Sequence, residues 1–220
     1  MSILHTIPIV AAFSLSTIAL AGPVIDLAPS EFTDSLSGID NSNFIEIRGT
    51  AIMDKFIDFS IFDQGQSLLY EGTLMTRVVR SHMTGNLHFN YRILDGNADL
   101  QGRISHVEVG GFGLFNTRVE YRSDSIPAGD EGPAMAQRST GGGIINFMFD
   151  GGLDTADDSN YFFAMTNTDT FYEDSALATI TLESGQSVSF LVDSATPGVP
   201  APGSLALLGG AGLLCGRRRR

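Results

Sequence analysis

The sequence predicts an all-β protein: a single antiparallel β-sandwich, jelly-roll-like in size, set between two short targeting segments. Three observations carry this. Apolar residues recur with a period of two along most of the chain. Turn sequences rich in Gly, Asn and Asp separate these runs at short intervals. Between Gly22 and Val199 no stretch carries a helical stripe, and residues 31–36 offer one short turn at most.

The elements follow in order. Residues 1–21 read as a signal peptide: Ile7 to Leu20 is mostly apolar, and Ala19 and Ala21 give the small-x-small pattern that precedes signal-peptidase cleavage. Its n-region has no Lys or Arg, only His5 and the amino terminus. Residues 22–195 form the predicted domain, long enough to bury one core. Ile57, Phe59 and Ile61 make one face of a strand, with Asp58 and Ser60 on the other. Leu87, Phe89, Tyr91 and Ile93 alternate with His88, Asn90 and Arg92; Phe115, Thr117, Val119 and Tyr121 alternate with Arg118, Glu120 and Arg122; Val188, Phe190 and Val192 repeat the pattern near the end. Each is read as a half-buried strand with one face to water. Strands are predicted at 44–48, 56–62, 68–79, 86–94, 103–109, 112–122, 144–149, 161–166, 177–182 and 187–191. Turns fall at Asp63-Gln64-Gly65, Thr84-Gly85-Asn86, Asp95-Gly96-Asn97, Gly110-Gly111 and Ser184-Gly185-Gln186. Residues 123–143, rich in Gly, Pro, Ser and charge, are expected to form a long surface loop.

Charge and cysteine content narrow the function classes. All 25 acidic residues lie between the two targeting segments, against nine basic ones once the four terminal arginines are set aside, a formal charge of about −16. Such a domain repels nucleic acid and anionic lipid heads, so DNA binding is excluded. The single cysteine, Cys215, stands in the C-terminal segment, so the domain forms no disulfide and supports no Cys-His mechanism.

Residues 196–220 are read as a linker and a tail in three parts. Val199, Pro200, Ala201 and Pro202 stay extended, because the prolines refuse helical hydrogen bonds. Residues 203–216 are uncharged and would make about 21 Å of helix, short against a hydrocarbon core of ~30 Å. Arg217, Arg218, Arg219 and Arg220 would hold the end on the cytoplasmic side. This arrangement resembles the PEP-CTERM sorting signal of Gram-negative bacteria, with Ala201 where that family usually carries Glu. The resemblance covers about a tenth of the chain. It implies recognition by an exosortase, a membrane-embedded cysteine protease or transpeptidase, in bacteria that make exopolysaccharide. The expected partners are therefore signal peptidase, exosortase, the inner membrane transiently, and exopolysaccharide. The expected location is the cell surface or the extracellular matrix after C-terminal processing. An ordinary C-terminal membrane anchor is the alternative.

The search for chemistry within the domain is mostly negative. His82, His88 and His106 lack metal-ligand spacing, and His88 is read as an exposed residue on a solvent face. There is no G-x-S-x-G elbow and no P-loop. Glu46, Asp58, Glu71, Glu108, Glu120 and Glu173 could supply paired carboxylates for glycoside hydrolysis, but no spacing singles out a pair. No catalytic residue is assigned, and the protein is read as non-enzymatic. Two acidic loops are weighed as calcium sites, the one cofactor considered: Asp95, Asn97 and Asp99, and then Asp150, Asp154, Asp157 and Asp158. Turns are built from the same residues. The preferred function is a structural or adhesive protein of an exopolysaccharide envelope. The alternative is a carbohydrate-binding module or carbohydrate-active enzyme, which a concave face carrying two or more exposed tyrosines or phenylalanines near carboxylates would favour, whereas a convex, evenly polar surface would favour the first.

Overall fold

The period-two pattern is realised as fourteen strands among the described residues. The computed structural model describes residues 23–173, 176–192 and 195–197; the predicted signal peptide with Ala19 and Ala21, the motif Val199, Pro200, Ala201, Pro202, the apolar run and Arg217, Arg218, Arg219 and Arg220 lie outside the described residues. In chain order the strands are β1 (Ile25–Asp26), β2 (Phe32–Thr33), β3 (Gly49–Phe62), β4 (Leu68–Ser81), β5 (Leu87–Leu94), β6 (Arg103–Gly110), β7 (Thr117–Tyr121), β8 (Met135–Arg138), β9 (Ile144–Asp154), β10 (Phe162–Thr166), β11 (Phe171–Glu173), β12 (Ala176–Leu182), β13 (Ser187–Val192) and β14 (Ala195–Pro197). No α-helix occurs among the described residues; the one helical element there is a 3-10 turn, Ile45–Ile47.

Two six-stranded antiparallel sheets result. The first runs β1-β7-β10-β5-β4-β3 and the second β13-β12-β6-β9-β8-β2, with β11 and β14 paired apart. Tight hairpins set the register where the sequence places turns: Gly85 (φ +75°) lies between β4 and β5, and Gly185 (φ +87°) between β12 and β13, in the left-handed region that glycine adopts without strain. The inner faces share one core. Leu74, Val78, Phe89, Tyr91 and Ile93 of the first sheet cluster with Ile104, Val107, Ile145, Phe147 and Ile180 of the second. Phe147 and Phe162, one from each sheet, bring their ring centroids to 4.9 Å. Each such side chain contributes about 1.5–3 kcal/mol on burial.

Several expectations are corrected. Residues 44–48 are not a strand. The carboxylate of Asp40 accepts the backbone N–H groups of Ser42 (2.6 Å) and Asn43 (2.9 Å), and this Asx turn winds the chain into the 3-10 turn that follows. The Ser42 hydroxyl, which donates to the same carboxylate oxygen, and then the backbone N–H groups hold the Asp40 carboxyl below the usual carboxylate range. Residues 31–36 contain the short strand β2 in place of a helical turn, and the strand expected at 112–122 begins only at Thr117. Residues 123–143 are not all loop: Met135–Arg138 pairs with both β2 and β9, and Arg138 is buried. His88 is 2% exposed, not on a solvent face; Asn90, Arg92 and Glu120 are buried with it. A strap of chain, residues 36–48, crosses the outward side of the first sheet, so β5 and β10 are covered on both faces. Ile39 and Ile47 of the strap pack with Val24, Phe163 and Met165 in a second, smaller cluster. At the other end, β14 extends pairing to Pro197, two residues into the stretch read as linker.

β3 is an edge strand of fourteen residues, and no strand pairs with its outer edge among the described residues. Its protection is the only lysine of the chain: Lys55 sits opposite Thr76 on the core-facing side, where a charge opposes pairing with another sheet. Lys55→Val is expected to self-associate more than the wild type as concentration rises in sedimentation velocity. A variant that sediments like the wild type at all concentrations would remove this role for Lys55.

Candidate functional site

The outward face of the first sheet concentrates charge. Four of the nine basic residues of the domain, Arg77, Arg92, Arg118 and Arg122, project there, placed by strand register. Arg77 lies opposite Asp54 on β3 and Asn90 on β5; His88 lies between Val79 and Met165; Met165 lies opposite Arg118, and Arg118 opposite Asp26. Alternation alone puts these side chains on one face.

Each arginine is engaged. Arg77 donates to both carboxylate oxygens of Asp54 (2.6 and 2.8 Å), and Arg122 to both of Asp124 (2.9 and 3.1 Å). Arg118 donates to Glu46 at 2.7 Å. Arg92 donates to the carbonyls of Pro127 (2.9 Å) and Ala128 (3.0 Å), with Asp158 at 3.5 Å. The guanidinium carbons of Arg77 and Arg92 each lie 5.3 Å from the ring centroid of Tyr161, whose hydroxyl donates to Met75 Sδ at 3.0 Å.

The strap divides this face into two clefts of about 270 Å³ each. Asn41 of the strap borders one, with Arg77, Asn90, Arg122 and Asp124. Glu46 of the strap borders the other, with His88, Asn116 and Arg118. Glu120 anchors the strap: its carboxylate accepts the N–H groups of Ser37 (3.2 Å), Gly38 (3.2 Å) and Tyr121 (3.0 Å). Burial pushes its carboxyl up from the usual range, and these hydrogen bonds oppose the shift. His88 Nε2 is buried without a hydrogen-bond partner among the described residues. Burial lowers its pKa to about 4; Glu46 opposes this, and Arg118 and Arg122 add to it.

The predicted calcium loops meet at one end of the sheets. The Asp95 N–H donates to Asp158 (3.2 Å), the Asp158 N–H to Asp130 (3.0 Å), and a methyl group on Gly96 would run into the Thr155 carbonyl. Asn97 is committed within the corner, accepting from the Asp99 N–H (3.0 Å) and donating to Glu71 (2.7 Å). Asp154 pairs with Arg103 at 3.4 Å. Asp150 is exposed on β9; after burial, the charges of Asp157 and Asp150 raise the Glu131 carboxyl, with Arg103 opposing. Among the described residues, no three His, Cys, Asp or Glu side chains are grouped to hold a metal ion. Asp95 and Asp158 are thus brought together by the Asp95 backbone N–H, and the Asp158 carboxylate also faces Arg92 at 3.5 Å.

Of the carboxylates considered for hydrolysis, Asp58 and Glu71 line one trough on the β3–β4 hairpin, Glu71 held by Asn97 (2.7 Å), Glu173 lies on β11, and the others stand apart. Glu46 and Glu120 stand on the outward face of the first sheet, Asp58 accepts from Thr73 (2.8 Å) near its edge, and Glu108 lies on β6 of the second sheet. Sequence reasoning missed the strap and its anchor. The available signal was charge at alternate positions of strands that the chain places mid-sheet, Arg92 and Glu120 above all. No protein-family model, curated protein or solved structure matches the chain.

Proposed function

We propose that the chain is an exported, non-enzymatic protein of the cell surface or extracellular matrix, a jelly-roll-like β-sandwich delivered by its signal peptide and processed at its C-terminus by an exosortase-type system. Its role is structural or adhesive, in an exopolysaccharide envelope. The observation that carries this reading is the three-part tail: Val199, Pro200, Ala201 and Pro202, an uncharged run, and four closing arginines. Two features of the domain support it. The last strand among the described residues, β14, ends at Pro197, two residues short of Val199. Glu46, Asp54 and Asp124, on the outward side of the first sheet, are each already partnered by an arginine of the domain. Signal peptidase and exosortase are the processing partners, the inner membrane is a transient one, and the reading includes no nucleic acid and no cofactor.

The test is the intact mass of the native protein recovered from the cell surface. A loss of about twenty residues from the C-terminus is expected, with or without an added group; the proline motif lies that far from Arg220. Recovery of the chain with Arg220 still attached would replace sorting with a plain membrane anchor.

A further inference from the structure

We infer that the outward face of the β3–β4 hairpin binds an uncharged polysaccharide chain lying along β3. Phe56 and Phe62 project from this face 62% and 49% exposed. They lie six residues apart on one strand, about 20 Å at ~3.4 Å per residue. Between them runs a shallow trough of about 270 Å³ lined by Asp58 and Ser60 of β3, Glu71 and Thr73 of β4, and Asp95. Register makes the trough flat and continuous: Asp58 pairs with Thr73 and Ser60 with Glu71.

The chemistry of the trough selects the ligand. Asp58 and Glu71 are acceptors, each with one oxygen already held, by Thr73 (2.8 Å) and by Asn97 (2.7 Å), and the other free among the described residues. A partner must bring donors, and hydroxyl groups do so without charge. A polyuronate or an anionic lipid surface would meet the carboxylates of Asp58, Glu71 and Asp95 on a domain of about −16, and is repelled. The two phenylalanine faces, negative at their centres, suit the C–H faces of pyranose rings. Rings at the two ends and acceptors between them match an extended glycan longer than a disaccharide. This deepens the envelope reading by naming the ligand of one face, and it rests on that reading only for where the glycan is met.

Binding is measured by calorimetry on the full chain in detergent, with neutral β-linked hexaoses of glucose, mannose and galactose, and with polygalacturonate and polylysine as charged comparators. At least one neutral hexaose is expected to bind. Phe56→Ala and Phe62→Ala should each weaken it about tenfold, and the double variant should abolish it. The melting temperature should stay unchanged, because both rings are exposed. Asp58→Asn should weaken the neutral ligand without creating affinity for polygalacturonate. Failure of all three neutral hexaoses, binding unaffected by the double variant, or a preference for either charged polymer would overturn the inference. So would concentration-dependent dimerisation that the double variant abolishes in the absence of glycan binding, because the face would then be a contact between copies. Because the intact-mass experiment reads only the tail, the two readings fail separately.

Discussion

Arg138→Met is expected to destabilise the domain by about 4 kcal/mol, the largest effect of any single substitution considered for this chain. Arg138 is 2% exposed and has no carboxylate partner among the described residues. Its guanidinium donates to four backbone carbonyls: Gly142 (2.9 Å), Leu27 (2.8 Å), Phe112 (2.6 Å) and Phe115 (2.7 Å). These belong to the β8–β9 turn, the β1–β2 connection and the β6–β7 loop, so one side chain ties three connections across the end of the two sheets. Burial draws its pKa below the ordinary guanidinium value, and the carbonyl dipoles keep the cation solvated. Methionine fills similar space and leaves the four carbonyls without a donor. Urea unfolding should show a lower midpoint with an unchanged m-value. Arg138→Lys, with a compact ammonium that cannot reach four carbonyls in a fork, should recover less than half of the loss. A loss under about 1 kcal/mol in the methionine variant would mean that water replaces the guanidinium freely, and the tie would carry no weight.

His88 is expected to make the fold acid-sensitive well above the carboxylate range. In the folded protein its pKa is lowered from 6.5 to about 4, first by burial, with Glu46 opposing and Arg118 and Arg122 adding to the shift. The unfolded chain therefore binds a proton near pH 6.5 that the folded one refuses until about pH 4. The sign follows: this contribution is fully present above pH 6.5 and is lost as the pH falls from 6.5 towards 4. At ~1.36 kcal/mol per unit its size is roughly 3 kcal/mol. Carboxylates titrate at the lower end of the same window, so the informative quantity is the difference between the wild type and His88→Gln. The wild type should lose about 2–3 kcal/mol more than the variant between pH 7 and pH 4 in chemical denaturation. A difference that stays constant with pH would show that the imidazole is free to take its proton in the folded state.

Much of the fold was legible because alternation is a property of the extended backbone itself. On β3, positions 52, 54, 56, 58, 60 and 62 are exposed while Phe59 and Ile61 are buried, as the sequence pattern requires. The turns at Gly85 and Gly185 were equally plain, since local residues with special backbone freedom fix them. β8 was not legible: four residues in a stretch of Gly, Pro and Ser carry too little pattern, and they form a strand because β2 and β9 supply partners on both sides. The outward face of β5 was misread for a related reason. A polar residue at an alternate position signals water only when nothing else covers it, and here the strap does.

The amino-acid sequence by itself determined the all-β class, which residues turn to the core between the sheets, and the acidic balance of the chain; each follows from local geometry or simple charge. Only the tertiary structure decided that His88, Arg92, Glu120 and Arg138 are buried and that Asp95 meets Asp158. Those outcomes rest on contacts between residues far apart in the chain. Glu120 reaches back more than eighty residues to Ser37 and Gly38, and only folding can settle whether a charged side chain ends beside water or beside a backbone group that replaces it.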